Sequence, residues 1–286
     1  MKLLALDIGG TKFSVAGFDD GRMTHRATYP TDADGGRDWM LGRIEEVTAP
    51  WRESIRFDHC AIGFGGPVDF NQQRVALSTH VGGWSDFYLS RHFEQRFGLP
   101  TIMDNDANVG ALGEGLHGAG VGSSPLFYMT LSTGIGGGIL IDRAVLRGAD
   151  SYAGELGHIN LEPEGPACLC GSNGCFERMC CGLWLRRDYG KPASELMHDP
   201  DFVSRYVVHL ARGLKACIMI LNPAKIVIGG GIAKAGEALF GPLRTELRRQ
   251  VTNWSRARLD VVPAALGDDS VLWGAWYLSL SDSRIE

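Results

Sequence analysis

Two glycine-rich segments, each lying between short apolar runs, constrain the fold of this chain more than any other feature. The first is DIGGTK at 7–12, and the second is LSTGIGGG at 131–138. The flanking apolar runs are 2–8 and 13–17 for the first segment, and 126–131 and 139–141 for the second. Apolar runs of this length predict buried strands, and glycine between them predicts a tight turn. Each half of the chain therefore opens with a predicted strand–turn–strand unit, which indicates two related lobes.

Both predicted turns are candidate phosphate-binding sites. Glycine lets backbone N–H groups approach an anion closely, because no Cβ atom intervenes. Thr11 adds a hydroxyl donor, and Asp7 at the end of the first strand is placed to hold a metal-bound water. The candidate residues are Asp7, Gly9, Gly10, Thr11 and Lys12 in the first segment, and Thr133, Gly134, Gly136 and Gly137 in the second. A plain hairpin turn is the alternative for each segment.

Neither segment fits the common nucleotide-binding fingerprints. The glycine pattern at 131–138 is similar to a dinucleotide-binding loop, but that loop requires a helix to follow it, whereas 139–141 predicts a strand. A G-x-x-x-x-G-K-[ST] loop does not occur in the sequence. Two separate strand–turn–strand loops instead suit a nucleotide held between two lobes. A third cluster, Gly229, Gly230 and Gly231, follows a predicted strand and either packs against an adenosine or is an ordinary connection.

The order of the predicted elements indicates an α/β fold. Strands come first, and helices and strands alternate from residue 36 onward, which is typical of an α/β sheet. We expect a smaller N-terminal lobe over 1–116 and a larger C-terminal lobe over 117–269 that contains a cysteine-bearing loop. The final helix, predicted over 270–283, is expected to pack back on the smaller lobe.

Composition limits the classes of function. The 286 residues are 44% hydrophobic and 21% charged, which is ordinary for a globular enzyme. The net charge is -5 and the pI is about 5.9, so nothing indicates a nucleic-acid surface. Asp7 interrupts the first apolar run too early for a signal peptide, and no uncharged stretch approaches the roughly 18 apolar residues of a membrane span. We therefore expect a cytoplasmic protein without a nucleic-acid or membrane partner.

The segment DNDAN at 104–108 lies between the predicted strand 101–103 and the predicted helix 107–116. Asn or Asp at a helix start is the usual N-cap, so one of these residues is expected to be structural. Three polar residues exceed what capping needs, and a carboxylate at the edge of a cleft can accept a hydroxyl proton during phosphoryl transfer. Spacing alone does not choose between Asp104 and Asp106.

The cysteines indicate a metal site. There are seven, an odd number, and five of them lie within 168–181. Without a predicted secretion signal, a disulfide framework is not expected. One histidine and three cysteines (His158, Cys168, Cys170 and Cys175) match a closed, tetrahedral, structural zinc site. Cysteines that bind no metal are the alternative.

Seven motifs, in order along the chain, resemble those of the ROK family of repressors and sugar kinases. They are DIGGTK at 7–12, GFGGPVD at 63–69, NDAN at 105–108, TGIGGG at 133–138, GELGH at 154–158, CLCGSNGCFE at 168–177 and IVIGGGIA at 226–233. ALGDDSVLWGA at 265–275 looks like the closing segment of the family, so the resemblance covers nearly the whole chain.

This resemblance implies an actin-like ATPase fold, similar to ribonuclease H, with two lobes and an interlobe cleft that closes on ATP and a sugar. In similar kinases the Asp of the NDAN motif is the catalytic base, which selects Asp106. The substrate-binding residues implied by the resemblance are Gly66, Asn105, Asp106, Glu155, His158 and Glu177. The glycine loops at 9–11 and 133–137 would hold the ATP phosphates, and 229–231 would face the adenosine. His158 would bind zinc through one ring nitrogen and face the sugar with the other.

The activity that the resemblance implies is an ATP- and Mg²⁺-dependent hexose kinase, which transfers phosphate to the 6-OH of glucose, carries structural Zn²⁺ and forms a homodimer. Kinases of N-acetylmannosamine, N-acetylglucosamine or fructose share these motifs and are alternatives. THVGGW at 79–84 lacks the Asn-Leu that many members carry before the Trp, so the sugar preference is expected to differ. A sugar-sensing transcriptional regulator or a non-catalytic sugar-binding protein is an alternative from another class. We do not expect the regulator, because the first predicted strand begins at Lys2, ahead of which a helix-turn-helix has no room.

Overall fold

The computed structural model describes residues 1–78 and 81–281. Thr79 and His80 of the THVGGW segment, and the last two residues of the helix predicted over 270–283, lie outside the described residues. The chain separates into two compact units. The N-terminal unit comprises Met1–Gly113, Arg147–Ala153 and the described residues from Val271, and the C-terminal unit comprises Glu114–Leu146 and Gly154–Ser270.

The N-terminal unit is built on a mixed sheet in the order β3-β2-β1-β4-β7. Its elements along the chain are β1 (Lys2–Ile8), β2 (Lys12–Asp19), β3 (Arg22–Pro30), α1 (Gly36–Ser54), β4 (His59–Phe64), β5 (Val68–Asp69), β6 (Arg74–Val75), α2 (Leu89–Phe97), β7 (Thr101–Asn105) and α3 (Asp106–Leu116), whose last turn belongs to the other unit. β1 and β4 are almost wholly apolar and buried, as expected for central strands covered on both faces.

The parallel strands of this sheet end in register. β1 pairs with β4 and β4 pairs with β7 in parallel, and Ile8 lies opposite Phe64, which lies opposite Asn105. The carboxyl ends of parallel strands meet at one edge of a sheet, which is where α/β folds bind ligands. The residues that follow these three strands therefore gather at one place within the N-terminal unit.

The C-terminal unit has the same strand pattern, in the order β10-β9-β8-β11-β12. Its elements are β8 (Leu126–Leu131), β9 (Ile135–Ile141), β10 (Ala144–Val145), α4 (Phe176–Cys180), α5 (Gly182–Tyr189), α6 (Ala193–Leu196), α7 (Pro200–Leu221), β11 (Lys225–Gly229), α8 (Glu237–Val251) and β12 (Val261–Pro263). In both units two antiparallel pairings precede two parallel ones. The two strand–turn–strand units predicted from the sequence thus each open a sheet of the same topology.

The second glycine segment differs from its prediction, because β9 begins at Ile135 and not at Ile139. Gly136 and Gly137 therefore lie inside a strand, and the turn is confined to 132–134. A Cβ atom at position 137 would lie 2.3 Å from Leu156 Cδ2 and 2.6 Å from the carbonyl oxygen of Gly154. Close packing of the chain against β9 thus explains this glycine, and the prediction of a turn extending through 138 is wrong.

α7 forms the centre of the C-terminal core. Pro200 begins it, after Asp199 caps its N-terminus by accepting hydrogen bonds from the N–H groups of Asp201 and Phe202. Gly213 lets the helix approach the zinc-loop segment, since a Cβ atom there would lie 2.3 Å from the ring of Phe176. In the part of the chain that the structure describes, no helix combines the length and the apolarity that a membrane span requires.

The last helix, α9 (Ser270–Leu280), packs against the N-terminal unit. Trp273 and Trp276 contact the ring of Phe18, with centroids 5.1 and 5.6 Å apart. Gly274 lies against the backbone of α3, because a Cβ atom at this position would be 1.7 Å from the carbonyl oxygen of Val109. Two helices therefore approach each other at a point where a single methyl group has no room.

We expect the substitution Gly274→Ala to lower the free energy of unfolding by about 3 kcal/mol, because the added methyl group must push apart two helix backbones. Gly42→Ala is the matched control: Gly42 lies on α1, with nothing within 4 Å of the position of a Cβ atom. There we expect stabilisation by up to about 1 kcal/mol, from the better helix propensity of alanine. Urea unfolding measures both, and equal midpoints for the two variants would contradict the packing described.

Candidate active site

Asp106, the first residue of α3, lies where β1, β4 and β7 end. A Cβ atom at Gly65 would lie 3.5 Å from Asp106 Oδ2, 3.5 Å from Gly9 Cα and 3.3 Å from the carbonyl oxygen of Ile8. The carboxylate thus lies beside the backbone that follows β4 and the backbone that follows β1. Glycine at position 65 permits this approach, because a side chain would crowd both the carboxylate and the end of β1.

The first glycine turn is held in shape by its own backbone and by Thr31. Gly9 N–H donates to the carbonyl oxygen of Lys12 at 3.1 Å, and Thr31 Oγ1 donates to the carbonyl oxygen of Gly9 at 2.9 Å. Thr31 N–H also donates to the carbonyl oxygen of Thr11 at 2.9 Å. A Cβ atom at Gly9 would lie 2.8 Å from the oxygen of Lys12, so the tight turn requires glycine there.

Asn105 is the N-cap of α3. Its Oδ1 accepts hydrogen bonds from the N–H groups of Ala107 at 2.9 Å and Asn108 at 3.3 Å. Its Nδ2 donates to the carbonyl oxygen of Gly66 at 3.0 Å. The structural role expected for one residue of DNDAN therefore falls to Asn105, which also ties this segment to the GGPVD loop. Gly66 in turn is required by protein packing, because a Cβ atom there would lie 2.9 Å from the carbonyl oxygen of Leu77.

Asp104 differs from Asp106 in its surroundings. Its side chain is 1% exposed, and Arg147 Nε donates to its Oδ2 at 2.8 Å. Oδ1 accepts from the N–H of Asn105 at 2.7 Å and from Asn108 Nδ2 at 3.1 Å. Burial raises the pKa of Asp104, and the Arg147 guanidinium and the two hydrogen bonds oppose that rise. Asp104 is thus a buried carboxylate with three hydrogen-bonding partners.

The sequence analysis missed Gln73, which completes the outer edge of β7. Gln73 Oε1 accepts from the N–H of Met103 at 2.7 Å, and its Nε2 donates to the carbonyl oxygen of Met103 at 3.0 Å. The same amide bonds Ser90 Oγ and the carbonyl oxygen of Phe70. A side-chain amide thus makes the pair of hydrogen bonds that a neighbouring strand would otherwise make. Gln73 lies between motifs, and nothing in the local sequence signals this role.

In the C-terminal unit, His158, Cys168, Cys170 and Cys175 come together. Their ligand atoms all lie within 4.8 Å of one another, and the sulfurs of Cys170 and Cys175 are 3.6 Å apart. Zinc bonds of about 2.0–2.3 Å in a tetrahedron place donor atoms about 3.3–3.8 Å apart, so one histidine and three cysteines at this spacing fit Zn²⁺. These residues would hold the ion, which would crosslink the loop.

Backbone hydrogen bonds and glycine shape the same loop. Cys168 N–H donates to the carbonyl oxygen of Ser172 at 2.8 Å, and Gly174 N–H donates to that of Pro166 at 2.8 Å. Gly174 has a φ of 58°, and a Cβ atom there would lie 1.7 Å from the carbonyl oxygen of Glu162. The loop is therefore folded so tightly at this point that a residue with a side chain would be both strained and obstructed.

Glu155, His158 and Glu177 share one environment in the C-terminal unit. Burial raises the pKa of Glu155, the charge of His158 opposes the rise and the charge of Glu177 adds to it. Glu177 Oε2 accepts a hydrogen bond from the N–H of Ile135 at 2.8 Å. One of the predicted sugar-binding carboxylates is therefore attached to the first residue of β9, directly after the second glycine turn.

The second turn is anchored by the segment that joins α4 to α5. Gly182 N–H donates to the carbonyl oxygen of Ser132 at 2.7 Å, and Leu183 N–H donates to that of Thr133 at 3.1 Å. Gly230, in the third glycine cluster, has a φ of 92° and would place a Cβ atom 2.4 Å from the carbonyl oxygen of Leu131. The third cluster therefore packs against the end of β8.

Removing one sulfur ligand is expected to remove the metal. The wild-type protein should carry about one zinc per chain, and Cys170→Ser should carry much less, because a serine hydroxyl is a poor zinc ligand in a structural site. Cys217→Ala is the control, since Cys217 is a buried cysteine of the same unit that lies outside the cluster. Elemental analysis of the purified proteins measures the difference. Zinc-free wild-type protein with an unchanged melting temperature would contradict the structural role.

A model of the ROK family matches residues 3–282 of this chain. A glucokinase of Thermotoga maritima is 33% identical over 304 residues, which cover 96% of this chain and 96% of that protein. The crystal structure of a ROK hexokinase from Thermus thermophilus is 33% identical, with a TM-score of 0.83, and the match covers 99% of this chain and 100% of that one. A ROK glucokinase from Streptomyces griseus, solved in complex with glucose and AMPPNP, is 28% identical, with a TM-score of 0.87 over 99% of this chain and 100% of that one.

Proposed function

The chain belongs to the ROK family, and on this basis we propose that it is an ATP-dependent hexose kinase that phosphorylates the 6-OH of glucose. The similarity to a glucokinase of Thermotoga maritima extends over nearly all of both chains. The similar Streptomyces griseus protein binds glucose together with an ATP analogue. Both supports concern the sugar and the nucleotide together, which favours a kinase over a protein that only binds sugar.

The placement of Asp106 carries the proposal. Its carboxylate lies beside Gly65 and Gly9, at the edge where parallel strands end. Asp104, the other carboxylate of the segment, is 1% exposed and bonded to Arg147, so it is poorly placed to meet a substrate hydroxyl. A general base must come within hydrogen-bonding distance of the proton that it accepts. These surroundings support Asp106 as the catalytic base and Asp104 as a structural residue.

In the proposed reaction Asp106 accepts the proton of the sugar 6-OH while the sugar oxygen bonds to the γ-phosphorus of ATP and the bond to the β–γ bridging oxygen breaks. ADP leaves with that oxygen. Phosphoryl transfer needs mainly positioning and charge stabilisation from the protein. Backbone N–H groups of the turns at 9–11 and 132–134 would hold the phosphates. Magnesium, when bound with ATP, offsets phosphate charge, and Asp7 would hold its water shell.

The sugar would be oriented by hydroxyl contacts with Glu155, His158, Glu177 and Asn105, and by close approach to Gly66. The shared environment of Glu155, His158 and Glu177 supports this assignment for the C-terminal unit. Asn105 already caps α3 and bonds Gly66, so its contribution would come through the remaining hydrogen of its amide. Structural zinc on His158 and the three cysteines would fix the loop that precedes Glu177.

The test combines a substrate panel with one substitution. We expect ATP-dependent phosphorylation to be fastest with glucose among glucose, N-acetylmannosamine, N-acetylglucosamine, fructose and mannose, with polyphosphate tested separately as donor. Asp106→Asn should fold and retain zinc but lose at least about 1,000-fold in kcat, because the amide cannot accept the proton. A coupled assay for ADP and direct detection of the sugar phosphate measure both quantities.

Asp38→Asn is the control, because Asp38 is an exposed aspartate on α1 that pairs with Arg37. Its kcat should equal that of the wild type. An Asp106→Asn variant with wild-type turnover would remove the assignment of the base. A wild-type protein that turns over none of the sugars with ATP would overturn the kinase proposal as a whole.

The proposal includes a cytoplasmic homodimer. Ile220 on α7 is 82% exposed and follows Met219, which is 40% exposed, and apolar side chains of this kind are typical of the buried centre of an interface. Light scattering should give twice the chain mass of 31.0 kDa. Ile220→Asp should shift the protein towards the single-chain mass, and a wild-type protein that has the single-chain mass at all concentrations would contradict the dimer.

A further inference from the structure

β7, which leads directly into Asp106, lies at the end of its sheet. It pairs with β4 on one side, and within residues 1–78 and 81–281 no further strand pairs with it. The unpaired edge of a strand is mobile unless other groups bond its N–H and C=O groups. Here Gln73 bonds both backbone groups of Met103. The next residue along the strand is Asp104, and its side chain is fixed by a different contact.

That contact is the ion pair between Asp104 and Arg147. Arg147 Nε lies 2.8 Å from Asp104 Oδ2, and the Asp104 side chain is 1% exposed. A carboxylate removed from water in this way is strongly destabilised unless a cation or several donors compensate. Arg147 provides the cation, and its own side chain is 24% exposed.

The other oxygen of Asp104 reaches both sides of the proposed base. Oδ1 accepts from the N–H of Asn105, directly before Asp106, and from Asn108 Nδ2, two residues after it. Asn105 Oδ1 in turn accepts from the N–H groups of Ala107 and Asn108. The backbone of Asp106 is therefore held from both directions by a network that contains the Asp104 carboxylate.

Arg147 is itself fixed by stacking. Its guanidinium carbon lies 3.5 Å from the centroid of the Phe70 ring, and Phe70 directly follows the GFGGPVD motif. Phe70 N–H donates to Ser151 Oγ at 3.2 Å, and Ala153 N–H donates to the carbonyl oxygen of Arg147 at 3.0 Å. The planar guanidinium is able to stack on a ring and bond a carboxylate together, which an ammonium group does less well.

We propose that Arg147 is a positioning residue for Asp106, acting through the buried carboxylate of Asp104 and fixed by the ring of Phe70. The inference rests on the proposed function, in which Asp106 is the base. It also assigns a role to the segment 147–153, which belongs to the N-terminal unit although the residues on either side of it belong to the other unit. Gly154 and Glu155 follow this segment directly in the chain.

The test is a double-mutant cycle on the zinc-loaded protein. Arg147→Met leaves the Asp104 carboxylate buried without its cation, so kcat should fall about 10- to 100-fold while KM for ATP changes less than about threefold. The double variant D104N/R147M removes the charge that needs compensation, and should recover at least about fivefold of the lost kcat. A residue that only stabilised the fold would change the melting temperature without this recovery.

Arg96→Met is the matched control. Arg96 also bonds a carboxylate, that of Glu45, but on α1 and α2 of the same unit. Its kcat should equal that of the wild type. Wild-type kcat in Arg147→Met, or a double variant as slow as the single one, would overturn the proposal.

A second measurement does not depend on activity. Backbone hydrogen exchange over 104–108 should be faster in Arg147→Met than in the wild type, and should return towards the wild-type rate in the double variant. If the wild type phosphorylates no sugar, the proposed function fails, while unchanged exchange in Arg147→Met refutes the positioning role by itself. If Arg147→Met does not fold, Arg147→Lys replaces it, with a smaller fall in kcat expected and wild-type values for both measurements overturning the inference.

Discussion

The N-terminal unit depends on one geometric constraint, the common end of its parallel strands. Ile8, Phe64 and Asn105 lie in register, so the chain after each of them enters the same small volume. Three segments fit there only because side chains are missing where they approach most closely, above all at Gly65. The carboxylate of Asp106 occupies the space that is left. The glycines of the DIGGTK and GFGGPVD motifs are therefore as much a consequence of this crowding as of any contact with phosphate.

In the C-terminal unit a chain of contacts connects the zinc cluster to the second glycine turn. Cys175 precedes α4, and Glu177 on α4 bonds the N–H of Ile135, which follows the turn. The segment after α4 bonds the turn again through the carbonyl oxygens of Ser132 and Thr133. A metal that fixes the cysteine loop would thus also fix the shape of the turn. Loss of zinc should disturb the proposed phosphate contacts as well as the sugar contacts.

The sequence predicted the fold class and the family correctly. The ROK family match and two similar solved structures confirm both, and with them the actin-like ATPase fold. β1 was predicted to its exact bounds because an apolar run and a glycine pair mark its two ends. The start of β9 was missed, because glycine has a low strand propensity and the side chains that pack against Gly137 come from a distant segment.

The sequence could not predict which polar residue does what at the end of β7. Asp104 and Asp106 are two residues apart and chemically identical, and only their burial distinguishes them. The partner that fixes Asp104 lies 43 residues away, outside every motif. Asn105 shows the reverse case, since its motif implied a sugar contact and the structure adds two capping bonds and a bond to Gly66. Local pattern identifies such a cluster, but long-range contacts divide the roles within it.

The repeated topology of the two units suggests why acid–base chemistry belongs to one of them. β8, β11 and β12 of the C-terminal unit correspond in order and direction to β1, β4 and β7. Gly230 meets the oxygen of Leu131 at the end of β8 as Gly65 meets that of Ile8 at the end of β1. The edge strands differ, because β7 leads into Asp106 whereas β12 ends at Pro263 and leads into alanines. The same framework thus presents a carboxylate in one unit and only backbone groups in the other, which suits the first to accept a proton and the second to bind an anion.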